Sequence, residues 1–140
     1  MELPELFKLL FIDLQAIFRQ NTRNKKFNLP QFVIISSIPV RGISMTILSN
    51  KIGVDNSTLT RLAGTLIKDK ILIKEKNPND SRSNLLCLTK KGEGYKKTIE
   101  DDSIRICEDI LNQVKNEDRE DIKNTLSSLH WALSKYKMNI

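Results

Sequence analysis

Asn56, Ser57, Thr60 and Arg61 sit close together in the run "DNSTLTRL". Their spacing puts them on one side of a helix, while Leu59, Leu62 and Leu66 recur on the other. Short donors and acceptors beside one guanidinium suit the edges of bases and the phosphates around them. No acid follows Asp55 in this run, whereas a face that is only solvated is usually richer in Glu and Lys. A second constellation, Asp80 and Arg82, lies in "NPNDSR". An Arg at a hairpin tip can enter a narrow minor groove, where the potential is most negative. An Asp two residues away can pair with a neighbouring basic group and hold the loop's shape, leaving Arg82 pre-aimed. The plain alternative is an exposed pair worth under about 1 kcal/mol.

These residues need elements to hold them. Residues 45–52 read as a short helix with Leu48 and Ile52 inward, and Gly53 allows a tight turn. Asp55 then caps a second helix, with Val54 and Leu59 as its hydrophobic staple. Helix, short Gly-containing turn and helix form the helix-turn-helix pattern. "ILIKEKN" at 71–77 alternates apolar and charged residues, "NLLCLT" at 84–89 does so less cleanly, and the loop 78–83 between them is turn-forming. Two strands behind a helix-turn-helix make a winged helix, with that loop as the wing.

On the N-terminal side, residues 3–24 read as a helix apolar on two sides, which implies two neighbours, one of them from another subunit. Asn28 caps the next helix, Gln31 returns the hydrogen bond, Phe27 and Phe32 form the staple, and Pro30 fits the first turn. That helix stops before Pro39. On the C-terminal side, helices are expected over 90–115 and 118–137. In the last, Ile122, Leu126, Leu129, Leu133 and Tyr136 form a narrow seam of the coiled-coil kind.

The whole is one domain of 140 residues, mainly α with a small β-wing. Residues 28–97 form the winged-helix region, and residues 1–27 and 98–140 are expected to dimerise. Charge follows the same division: residues 41–97 carry an excess of +7, against +2 before them and −3 after. A basic middle on a neutral-to-acidic scaffold is the footprint of a nucleic-acid face. The chain has one His, no phosphate loop and no nucleophile elbow, so no enzyme and no cofactor are expected. Cys87 and Cys107 have no metal-ligand spacing, and Cys107 reads as a packed, buried residue. With neither a membrane span nor a signal peptide legible, the expected compartment is the cytoplasm.

The order of "LPQF", "S-x-x-x-L-x-x-x-I-G-V-D-x-S-T-x-T-R-L", "D-S-R" and "L-T-K-K-G" resembles the MarR family of winged helix-turn-helix transcriptional regulators. The run "DNSTLTRL", then "NDSR", then "CLTKKG" carries the resemblance, which extends along essentially the whole chain. It implies a homodimeric regulator, in most cases a repressor, on a pseudo-palindromic operator in double-stranded DNA. Recognition helices would enter successive major grooves about 34–36 Å apart. By resemblance, Asn56, Ser57, Thr60 and Arg61 are groove contacts, and Asp80 and Arg82 wing contacts. A phenolic or anionic small-molecule effector is also implied; Arg19, Arg23 and His130 are candidates to face it, although a lone His beside Trp131 reads first as a packed or surface residue.

Two positions depart from the pattern. Ile47 replaces an acid that would complete a helix cap, and Lys70 replaces a helix-ending Gly, so Lys70 is expected to adopt a left-handed conformation. Oxidant-sensing branches keep a cysteine in the first helix, where this chain has none. The competing readings are a winged-helix protein-interaction module, which should show an apolar or acidic recognition face, and a thiol-based redox sensor acting through Cys87 or Cys107.

Overall fold

The computed structural model describes residues 1–22 and 27–140; Arg23 and the expected end of the first helix, at residue 24, lie outside that description. The elements are α1 (Leu3–Thr22), α2 (Leu29–Ser37), β1 (Ile43–Ser44), α3 (Met45–Ile52), α4 (Asn56–Lys68), β2 (Leu72–Asn77), β3 (Asp80–Leu88), α5 (Lys90–Leu111), a 3-10 turn (Asn116–Asp118) and α6 (Arg119–Lys137). The chain divides into two compact units, Met1–Asp102 and Ser103–Ile140.

In the first unit, local chemistry sets the helix starts. The Asn28 side chain accepts from the Gln31 N–H at 3.0 Å, and the Gln31 side chain accepts from the Asn28 N–H at 3.2 Å. Ser44 caps α3 by accepting from the Ile47 N–H at 3.2 Å, so the helix keeps a cap without the acid that Ile47 replaces. The carbonyls that α2 leaves open at its end are taken by cations: Lys51 Nζ donates to Ser37 O at 3.1 Å, and Lys96 Nζ to Ile38 O at 2.6 Å.

The core is the meeting of these helices with the sheet. Ile34, Ile35, Ile38, Leu48, Leu59, Leu66, Ile71, Leu72 and Leu86 are fully buried. Phe27 and Phe32, expected as a staple, are both buried; Phe27 packs edge-on against Tyr95, and Phe32 against Phe18. Ala63 belongs to the inner face of α4, and Leu62 is only half-buried.

The sheet has three antiparallel strands in the order β1-β3-β2. The two-residue β1 is held to the sheet by β3, pairing Ile43 with Leu86. The wing differs from expectation. Its loop is not 78–83 but the two residues between Asn77 and Asp80, because a register shift after Lys76 lets Asn77 pair with Asp80. Both faces of the sheet are largely exposed there, so no apolar alternation marks the extra strand residues.

In the second unit, the fifth helix ends at Leu111 and not near 115. Gln113 N donates to Ile110 O and Val114 N to Leu111 O, tightening the last turn. A 3-10 turn then precedes α6, whose seam is largely open: Leu126 is 57 % and Tyr136 66 % exposed. Cys107 is exposed, not buried; it lies on α5 among other exposed residues. Among the described residues no helix is long and apolar enough to cross a membrane, and no cluster of His, Cys, Asp or Glu could hold a metal.

Candidate nucleic-acid interface

Helix α4 begins where Asp55 makes it begin. One carboxylate oxygen accepts from the Thr58 N–H at 2.7 Å and from the Ser57 hydroxyl at 2.8 Å. The Thr58 N–H, with the Thr58 and Ser57 side chains, holds the Asp55 carboxyl below the usual carboxylate range, and the Arg61 charge adds to that. The preceding turn needs Gly53, whose φ of 75° lies in the left-handed region.

Asn56, Ser57, Thr60 and Arg61 are all exposed, on the side of α4 away from Leu59, Ala63 and Leu66. Their hydrogen-bonding states differ. The Ser57 proton is given to Asp55, and the Thr60 hydroxyl donates to Asn56 O at 2.8 Å. Both oxygens therefore face outward as acceptors, and donation falls to the Asn56 amide and the Arg61 guanidinium.

The wing places Asp80 and Arg82 at its exposed tip, but the pairing differs from expectation. Asp80 Oδ1 accepts from the backbone N–H of Arg82 at 3.0 Å and not from a basic side chain. The Asp holds the backbone from which Arg82 projects. Asn77 and Ser83 complete the tip: Asn77 Oδ1 accepts from the Asn79 N–H at 3.0 Å, and Asn77 Nδ2 donates to Ser83 Oγ at 3.1 Å. Neither was anticipated, although "NPN" is a turn signal that could have located Asn77.

A further residue missed in the sequence is Thr89, of the "LTKKG" run. Its hydroxyl accepts from the Gly92 N–H at 3.1 Å, starting α5, and donates toward Lys70 O at 2.6 Å and Ile71 O at 3.2 Å just past the end of α4. Lys91 Nζ adds a bond to Asp69 O at 3.1 Å. The signal was a Thr immediately before a helical run. At the same junction Lys70 has φ 59°, as its replacement of a Gly implied.

Cys87 lies on β3, half-buried, with its thiol 3.9 Å from Glu75 Oε2. Burial pushes the thiol pKa up, and the Glu75 carboxylate pushes it the same way. Gly42, at φ 83°, leaves the space that the sulfur fills; a Cβ there would stand 2.6 Å from Cys87 Sγ. Arg19, a candidate effector contact, donates to Gln15 Oε1 at 3.2 Å, and His130 is exposed.

The MarR family model matches residues 27–83, the span from the cap of α2 to the wing tip. A search of curated proteins finds no significant sequence match. Solved structures match along nearly the whole chain. A MarR protein from Peptoclostridium difficile is 21% identical at TM-score 0.83, covering 99% of this chain and 92% of that one. FabT from Streptococcus pneumoniae, solved in complex with DNA, is 20% identical at TM-score 0.81, covering 95% and 96%. A MepR–DNA complex from S. aureus is 15% identical at TM-score 0.76, covering 95% and 99%. At such identities the likeness establishes a shared winged-helix fold.

Proposed function

We propose that this chain, which carries a MarR-family domain over residues 27–83, is a homodimeric, sequence-specific transcriptional regulator that represses by binding a pseudo-palindromic operator. The observation that carries the reading is the outer face of α4: exposed Asn56, Ser57, Thr60 and Arg61 on a helix anchored by three buried residues. Arg82 and Asp80 serve as the wing contacts. The DNA complexes of FabT and MepR, which share the fold, support double-stranded DNA as the partner.

Dimerisation is supported by surface that a lone chain leaves wet. Leu3, Phe7, Leu10, Phe11 and Leu14 of α1 are exposed, and so are Leu126, Trp131, Leu133 and Tyr136 of α6. Exposed apolar side chains in such number on either helix mark an interaction site. Release by a phenolic or anionic effector remains part of the proposal. Redox control through Cys87 is disfavoured, because the reactive species is the thiolate, and burial and the Glu75 carboxylate both oppose it. A protein-interaction role finds no apolar or acidic recognition face to rest on.

The test is fluorescence-anisotropy titration with duplex DNA from the chain's own upstream region, beside a scrambled duplex, at two salt concentrations. Tight binding that prefers the upstream duplex and falls steeply with salt is expected. Equal, weak binding to both, repeated with duplexes selected from a random library, would overturn the reading.

A further inference from the structure

The exposed stripe of α4 does not stop at Arg61. Counting from Ser57, positions 57, 60, 61, 64, 65 and 68 step by three and four along one face, and all six are exposed. The second half of the stripe is Gly64, Thr65 and Lys68. Gly64 is the unexpected member. It lies in the interior of a helix of 13 residues, where glycine is a poor helix former. The fold does not ask for it: its φ is not left-handed, and a Cβ built there meets nothing within 4 Å. Contrast Gly92, whose Cβ would run into Ile71 O. Glycine at 64 therefore weakens its own helix without relieving any contact among the described residues.

Resting on the regulator reading above, we infer that Gly64 is a close-approach point for DNA, and that the groove-facing surface extends through Gly64 and Thr65 to Lys68. A helix with its side chains is about 10–12 Å across and the major groove about 12 Å wide, so a residue without a side chain on the facing stripe lets the backbone seat deeper. Lys68, at the far end, reaches a phosphate. Deeper seating also brings the acceptor oxygens of Ser57 and Thr60 nearer the base amino groups that suit them.

The molecule contains its own control. Gly94 is likewise exposed, helical and open around its missing Cβ, but it lies on α5, outside the stripe. Duplexes are first selected from a random library with the wild-type chain, and the best becomes the probe. Alanine is the better helix former, so both Gly64→Ala and Gly94→Ala should raise the melting temperature by roughly 2 °C or more. Only Gly64→Ala should weaken binding, about tenfold, as expected when a tight interface is overfilled. Gly64→Ala with wild-type affinity would overturn this inference alone. Equal weakening by both variants would overturn it too, since the loss would then not be specific to the stripe. If the wild-type chain enriches no duplex, the regulator reading falls and this inference with it.

Discussion

Asp80 and Arg82 form one device made of a backbone hold and a projecting charge. The bond from the Arg82 N–H to Asp80 Oδ1 needs an acceptor, not a negative charge. Asp80→Asn should therefore keep most DNA affinity, Asp80→Ala should lose part of it, and Arg82→Ala should lose most, with circular dichroism unchanged in all three. Anisotropy titration checks the order, and an Arg82→Ala chain that binds like wild type would remove the wing from the mechanism. Asp55 is different, because its charge matters. Its pKa is lowered in the fold by the Thr58 N–H and the two hydroxyls, so the unfolded chain takes up the proton more readily. Its stabilisation is complete above the ordinary carboxylate pKa and drains away as pH falls through its own lowered value. Asp55→Asn retains an acceptor, so wild type should melt higher at neutral pH and the gap should close in acid. A gap independent of pH would contradict this.

At the scale of elements, the junction of α4, the sheet and α5 concentrates the constraints. Lys70 holds φ 59° without glycine's freedom, at a cost of roughly 1 kcal/mol. Lys70→Gly should raise the melting temperature, and a decrease would show that its side chain contributes more than its backbone costs. Gly92 permits α5 to pass against Ile71 O, and Gly92→Ala should destabilise by about 1–3 kcal/mol in urea unfolding. Such features were unevenly legible in the sequence. Caps could be read because they are local: Asn28 with Gln31, and Asp55 with Thr58, need only neighbours three residues apart. Lys70's conformation could be read from the glycine it replaces. The bond from Thr89 to Lys70, that from Lys96 to Ile38 and the approach of Gly92 to Ile71 could not, because these partners are 18 residues or more apart in sequence. The wing turn was read too long, because a register shift is set by the partner strand and leaves no periodicity of its own.

For the whole molecule, the division of labour legible in charge reappears in burial. Among the described residues, the largest fully buried side chains all lie in residues 34–86, while α1 and α6 expose much of their apolar surface. That exposed surface is what the proposed homodimer would cover. Sedimentation at micromolar concentration should return a dimer, and Leu126→Glu in the α6 seam should shift it toward monomer and weaken operator binding with it. A wild-type monomer at that concentration would end the homodimer proposal. The exposure of the candidate groove contacts could be read individually because each is a residue type on a helix face. Their hydrogen-bond polarity could not, since which hydroxyl spends its proton at home depends on the cap geometry.

The Thr89 hydroxyl joins the last carbonyls after α4 to the first turn of α5. In mechanical terms it is a pin through a linkage. The turn at Lys70 and Ile71 leads back into α4, and Lys91 fixes the same joint from a second point on Asp69 O. A shift at the start of α5 is therefore carried by these bonds to the far end of α4. The joint is a gear, and its tooth is one methyl-bearing alcohol: Thr89→Val would preserve the shape and strip the tooth.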